Sequence, residues 1–241
     1  MNLIIDAGNT CVKMAIFGGG HLLQKTLTDK LSQRDVQSFT KGLKIHAAIF
    51  SSVAAPDMGF IQSLEKKFRV LVLDHHTKLP VKNHYQTPET LGTDRIACAA
   101  GAFGLFPGCP VLSVDAGTCI KYDFVTARGE YKGGAISPGI KMRISALHNF
   151  TARLPLLEIS KPGHFIGRNT ESSILSGVLT GATEEMKGFI QLYTDKYPHL
   201  KVILTGGDMA YFEKSLKNRI FAAPNLVMQG LNLILEYNAE K

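Results

Sequence analysis

Tryptophan is missing from this chain of 241 residues, and cysteine occurs only four times. Cys11, Cys98, Cys109 and Cys119 show no C-x-x-C spacing. That argues against a zinc site or a disulfide framework, and for reduced thiols in a cytoplasmic protein. No apolar run reaches the ~18 residues that a spanning helix needs, so no membrane partner is expected. No basic segment followed by a long apolar stretch precedes the first strand pattern, so no signal peptide is expected either. Charge runs are equally scarce, and no basic run is longer than Lys66-Lys67. A net charge of +7 scattered in this way is a poor nucleic-acid footprint. It suits a mildly basic cleft for anionic substrates. What remains is a chain of ordinary hydrophobic content, long enough for one large domain or two small ones.

The organising stretch is at the start. Leu3, Ile4 and Ile5 form a short apolar run, the pattern of a buried strand, and Asp6 ends it. Ala7, Gly8 and Asn9 have turn composition, and residues 11–17 read as a second strand. A carboxylate thus sits at a strand end beside a tight turn whose backbone N–H groups can approach a phosphate. Asn9 and Thr10 add short polar donors, Asp6 can hold Mg²⁺, and Lys13 brings a positive charge on the next strand. The design recurs half a chain later: Asp115, Ala116, Gly117 and Thr118 follow an apolar run and lead into Cys119, Ile120 and Lys121. Asp-Gly turns are common, but here the flanking strands match as well. We therefore read an internal duplication, with halves at residues 1–108 and 109–241 and a nucleotide cleft between two facing hairpins.

The remaining pattern is mixed α/β. Strands are expected at residues 2–7, 11–17, 21–27, 47–50 and 70–73, with helices at 32–42 and 56–67, the latter with Pro56 near its first turn. Gly18, Gly19 and Gly20 are flanked by strands, so a hairpin turn is preferred to a phosphate loop. His75 and His76, if on a strand, point to opposite faces and do not share a metal. Further strands are expected at 111–114, 119–126, 131–136 and 201–204, and an extended stretch at 154–162. Helices are expected at 140–150, after residues 167–173 to about 197, at 209–216 and at 226–237.

Three loops carry candidate chemistry. Asp94 and Arg95 open a small-residue helix: Asp94 is either a dipole partner or a general base, and Arg95 is a possible carboxylate clamp. Thr170 and Ser173 read as capping residues of the long helix. Gly206 and Gly207, after a strand, either let a flat base lie against the backbone or make a generic turn.

Together these stretches resemble the superfamily of acetate kinase, sugar kinases, Hsp70 and actin, and more narrowly the type III pantothenate kinases. The resemblance runs from Asp6 to Leu231. It rests on the segments 6–13, 91–95, 115–118, 133–139, 167–170 and 205–208. It implies two duplicated RNase-H-like halves, each a mixed five-stranded sheet with helices. It also implies phosphorylation of the primary hydroxyl of pantothenate by ATP to 4′-phosphopantothenate, the first step of coenzyme A synthesis. On that resemblance, Asp6, Ala7, Gly8, Asn9, Thr10, Cys11, Val12 and Lys13 bind the ATP phosphates and Mg²⁺, and Thr118 contacts ATP. Gly92, Thr93, Asp94 and Arg95 contact pantothenate, with Asp94 as proton acceptor, and Tyr85 and Thr170 line the substrate site. Asp115 holds a monovalent cation, K⁺ or NH₄⁺, and the chain forms a homodimer. Where many relatives continue with small or hydroxyl residues, Cys119 and Lys121 follow here; the Lys121 side chain either adds a charge near the phosphates or the cation site, which bears on the monovalent-cation requirement, or points outward to solvent, the preferred expectation. A non-catalytic regulatory binding protein of the same fold is the alternative. Loss of Asp6 or Asp94 would favour it, and both are present.

Overall fold

The computed structural model describes residues 1–54, 57–160, 164–216 and 220–239. Pro56 and the end of the stretch at 154–162 therefore lie outside the described residues. The chain divides into two compact units. One comprises residues 1–107, 129–132 and 225–241, the other residues 108–128 and 133–224. This differs from a single cut after residue 108 in two places: a short segment at 129–132 and the C-terminal helix both pack with the N-terminal residues.

The first unit is built on β1 (Asn2–Ala7), β2 (Val12–Gly18), β3 (His21–Thr28), β4 (Ala47–Ser52) and β5 (Arg69–Val72), in the order β3-β2-β1-β4-β5. β1 runs antiparallel to β2 and parallel to β4. The β2–β3 connection is the expected hairpin, with Gly19 and Gly20 at positive φ (58° and 78°), as a tight hairpin turn requires. Side chains alternate across β1. Leu3 and Ile5 join Val12, Met14, Ala48 and Phe50 in a core with Val36 of α1 (Gln33–Phe39) and Ile61 and Leu64 of α2 (Met58–Glu65). Asp6 therefore belongs to the opposite face, which packs α3 (Thr93–Leu105) and α7 (Leu226–Tyr237). α7 is fastened to the start of β1 by polar side chains: Asn2 Nδ2 donates to Asn232 Oδ1 (2.9 Å), and Asn232 Nδ2 donates to Glu236 Oε1 (3.0 Å). β6 (Lys82–Asn83), too short to show any period, pairs parallel with Glu130 and Tyr131.

The second unit repeats the order. β7 (Val111–Ala116), β8 (Cys119–Val125), β9 (Glu130–Pro138), β10 (Lys201–Thr205) and β11 (Phe221–Ala222) lie as β11-β10-β7-β8-β9, again with an antiparallel hairpin (β7–β8) and a parallel neighbour (β7–β10). Its core joins Leu112, Val114, Tyr122 and Phe124 to Ile140 and Ile144 of α4 (Ile140–Asn149) and to Val178, Ala182 and Met186 of α5 (Thr170–Lys196). Each such fully buried aliphatic side chain contributes roughly 1.5–3 kcal/mol. α5 is capped one residue earlier than expected: Asn169 accepts from the backbone of Ser172 and forms a capping box with it, so Thr170 is the first helical residue. α6 is only Met209–Phe212, followed by turns, where a helix to 216 was expected.

Candidate functional site

In the first unit, sheet register gathers the charged residues. Asp6 pairs with Lys13 on β2 and with Ser51 on β4, so the three share the face that packs α3. Asp6 is 4% exposed, while the turn beyond it, Gly8 to Thr10, is exposed. Gly8 N–H closes that turn on the Cys11 carbonyl (3.2 Å), and a Cβ at Gly8 would lie 3.3 Å from the same oxygen. A buried carboxylate beside an open turn suits Mg²⁺ carried in on a polyphosphate, because Mg²⁺ uses one or two carboxylates and completes its shell with phosphate and water.

The N-terminus of α3 is tied to this strand edge. Ser51 Oγ donates to Thr93 Oγ1 (3.0 Å), and Thr93 Oγ1 donates to the Ser52 carbonyl (3.1 Å). The next residue, Asp94, folds back over the helix start, where its Oδ1 accepts the Arg95 N–H (2.8 Å). A Cβ at Gly92 would lie 2.6 Å from that oxygen, so glycine makes room for the carboxylate. Arg95 is 5% exposed. Its guanidinium carbon lies 5.5 Å from the Tyr85 ring centroid, and Nη1 points at the Tyr85 hydroxyl across a long 3.5 Å. Tyr85 in turn stacks on the buried Tyr131, with centroids 6.2 Å apart. The structure thus brings Asp6, Lys13, Thr93, Asp94, Arg95 and Tyr85 into one unit, through contacts that the sequence did not show: Ser51 and Ser52 as anchors and Tyr131 as the stacking partner.

In the second unit, Asp115 pairs with Lys121 on β8 and with Thr205 on β10. Lys121 does not point outward to solvent as expected: its Nζ lies 2.7 Å from Asp115 Oδ2. A hairpin with a short turn keeps cross-strand partners on one face, and that register delivers the ammonium to the carboxylate. Two further loops seal the hairpin. Gly139 N–H donates to the Thr118 carbonyl (3.1 Å), and Asp208 N–H to the Ala116 carbonyl (2.9 Å). A Cβ would fall 2.1 Å from the Gly117 carbonyl at Gly139, and 2.1 Å from the Ala116 carbonyl at Gly206. Both glycines therefore serve backbone packing, whereas Gly207 has open space at its Cβ position. Burial holds the Asp208 carboxyl above the usual carboxylate range; the Lys141 ammonium opposes this and the Asp115 carboxylate adds to it. Thr118 is exposed at the turn.

A polar knot under Ser137 has no counterpart among the sequence motifs. Glu185 on α5 accepts from the Tyr122 hydroxyl (3.1 Å), the Ser137 hydroxyl (2.5 Å) and Arg143 Nη2 (2.6 Å), and Arg143 Nε donates to the Pro138 carbonyl (2.7 Å). Burial pushes the Glu185 carboxyl up, but the Ser137 and Arg143 bonds outweigh it and leave it below its ordinary value. Burial and the Glu185 charge push the Tyr122 phenol well up. The knot fixes the turn into α4. An i, i+4 search along α5 cannot find it, because its members come from three other elements.

Thr170 lines a largely apolar cavity of about 1070 Å³ in the second unit, with Pro138 and Arg143 of that knot and Met142, Leu147, Phe150 and Ile174 on its walls. His75 and His76 lie in a turn rather than on a strand, with ring centroids 3.9 Å apart. Among the described residues, no cluster of three or more His, Cys, Asp or Glu side chains is placed to hold a metal. Among them, too, no helix is long and apolar enough to cross a membrane.

Two like-ordered sheets, each with a carboxylate ending the first strand of a hairpin, define the actin-like fold used by sugar kinases. A glucokinase from an Antarctic psychrotroph superposes with a TM-score of 0.51 at 10% identity, covering 98% of each chain. A protein of Campylobacter jejuni described as a Baf family transcriptional activator gives 0.61 at 19% identity, covering 99% of this chain and 100% of its own. At such identities the likeness concerns the fold alone. The sequence narrows the class. Residues 2–192 match the family described as type III pantothenate kinase. The type III pantothenate kinase of Christiangramia forsetii is 46% identical over 242 residues, 99% of each chain. That of Bacteroides fragilis (strain YCH46) is 44% identical, covering 99% of this chain and 98% of its own. The chain belongs to the type III pantothenate kinase family.

Proposed function

We propose that the chain transfers the γ-phosphoryl group of ATP to the primary hydroxyl of pantothenate, giving 4′-phosphopantothenate for coenzyme A synthesis. The observation that carries this reading is the Ser51–Thr93 hydrogen bond, which fixes Asp94 at the edge of the strand paired with Asp6. Phosphoryl transfer depends mainly on positioning and charge neutralisation, so rigid placement of the acceptor site matters most. Asp6 and the open turn 8–11 hold the phosphates, with Lys13 beside them. Asp6 would hold Mg²⁺, which would supply positive charge to the phosphoryl oxygens. Asp94 accepts the hydroxyl proton as attack proceeds. Arg95 presents a planar fork to the pantothenate carboxylate, its plane set by Tyr85. Thr118 is the ATP contact of the second unit.

A homodimer belongs to the proposal. Phe150 is 88% exposed on the wall of the apolar cavity, and Leu156, Phe165 and Ile166 nearby in the chain are exposed as well. Exposed apolar surface of this kind marks a protein contact. Thr170 would then meet substrate near the interface.

The test is ADP release from MgATP by the purified chain, with and without pantothenate. Release that rises with pantothenate concentration and saturates is expected. Release that pantothenate leaves unchanged overturns the reading.

A further inference from the structure

The second hairpin carries its own cation. Lys121 Nζ and Asp115 Oδ2 are 2.7 Å apart, a direct charge-assisted contact, with side chains only 17% and 13% exposed. Asp208 also feels the charges of Asp115 and Lys141. The Asp115–Lys121 pair is neutral as it stands. A dissolved K⁺ or NH₄⁺ entering at Asp115 has to displace an ammonium of equal charge, and leaves that ammonium part-buried without its counter-charge. The residues therefore fit a monovalent-cation site poorly: Asp115 Oδ2 is taken by Lys121, and the carboxylate's charge is already matched.

We propose that the Lys121 ammonium stands in the place of the monovalent cation at Asp115, so that phosphoryl transfer by this chain needs neither K⁺ nor NH₄⁺. The ammonium of a lysine and a free NH₄⁺ carry the same charge and the same kind of donor. The β7–β8 register delivers the lysine without a binding step. The inference rests on the kinase reading above, and its test separates the two.

The full chain is assayed for pantothenate-dependent ADP release in choline, Na⁺, K⁺ and NH₄⁺ chlorides at matched ionic strength, with ATP and pantothenate as Tris salts. The wild type is expected to turn over at rates equal within about twofold in all four. Lys121→Thr is expected to lose about tenfold or more in choline and Na⁺, and to recover in K⁺ or NH₄⁺. Thermal melting supplies a readout independent of turnover: K⁺ in place of Na⁺ should raise the Tm of Lys121→Thr and leave that of the wild type unchanged. A wild type that needs K⁺ or NH₄⁺, or that K⁺ specifically stabilises, overturns the inference, and needs no variant to do so. A Lys121→Thr enzyme indifferent to the cation, or inactive in all four salts, overturns it too. Absence of wild-type turnover in every salt sinks the kinase reading instead, and the melting comparison then still decides the fate of Lys121.

Discussion

α3 and α7 cross on small residues, and the crossing sets where Asp94 stands. A Cβ added at Gly230 of α7 would fall 1.8 Å from the Ala97 carbonyl oxygen and 2.9 Å from the Gly101 nitrogen, both backbone atoms of α3. A close-packed interior offers no slack, so Gly230→Ala must part the helices by about 1.5 Å. Ala97 lies one helical turn from Thr93. A shift of that size breaks the bonds from Thr93 Oγ1 to Ser51 and Ser52, now 3.0 and 3.1 Å. Overpacking costs about 1–3 kcal/mol, and the two hydrogen bonds add about 0.5–1.5 kcal/mol each. The better helix propensity of alanine returns about 1 kcal/mol, leaving a net loss of roughly 1–5 kcal/mol. For a chain of this length that lowers Tm by roughly 2–20 °C. A displacement of about 1 Å at Asp94 also lowers turnover by about 10²-fold. Calorimetry and ADP release below the transition measure both. Gly188→Ala is the control: Gly188 is exposed on α5 with nothing within 4 Å of its Cβ position. It should raise Tm by about 2–4 °C and leave turnover alone. An unchanged Tm for Gly230→Ala, with turnover within about twofold of the wild type, would refute the reasoning.

Asp94→Asn should keep ATP binding, measured by titration calorimetry, and lower turnover by about 10²-fold or more; wild-type turnover would remove Asp94 from proton transfer. Arg95→Lys should raise KM for pantothenate far more than it lowers kcat, because a point charge cannot replace the fork over Tyr85, and an unaltered KM would make Arg95 purely structural. Glu185 makes an acid-stability prediction. Its folded pKa lies below the ordinary carboxyl value of 4.5 that it has in the unfolded chain, so its contribution is present above that pH and is lost as pH falls through the folded pKa. The Tm gap between wild type and Glu185→Gln should therefore be widest near neutrality and close on acidification below about pH 4.5; a gap that stays constant contradicts the Ser137–Arg143–Glu185 knot.

Local pattern carried the elements that the site needs. The two Asp-Ala-Gly hairpins were legible because alternation and turn composition lie within ten residues, and the Asp94-Arg95 helix start because its small residues leave little else to form. What escaped depends on partners far along the chain. Nothing within 226–237 says that α7 packs against α3 and β1 of the first unit; that follows from Gly230 meeting Ala97 and Asn232 meeting Asn2. β6 and β11 are two-residue strands, defined only by their neighbours. The position of Lys121 is the instructive miss. Read alone, a lysine on a strand goes to solvent, but hairpin register places it opposite Asp115, as it places Lys13 opposite Asp6. At Gly206 the turn alternative has a structural ground: its φ of 98° and the Ala116 carbonyl demand glycine whatever ligand is bound.

The two hairpins differ by one residue, and that difference separates their chemistry. Seven positions separate Asp6 from Lys13 and six separate Asp115 from Lys121, Asn9 being the extra residue. In the longer turn, Gly8 N–H reaches over to the Cys11 carbonyl and leaves Gly8, Asn9 and Thr10 exposed. In the shorter one, Gly117 N–H reaches only to the Cys119 carbonyl, and the turn is covered by Gly139 and Asp208, which donate to the Thr118 and Ala116 carbonyls. An open turn beside a buried carboxylate is free to receive phosphate oxygens. In the second hairpin Thr118 stays exposed for the ATP contact proposed above, while the Asp115 carboxylate rests on Lys121 as a neutral charge pair. The repeated Asp–Lys register thus goes with an exposed three-residue turn in one unit and with a part-buried ion pair in the other.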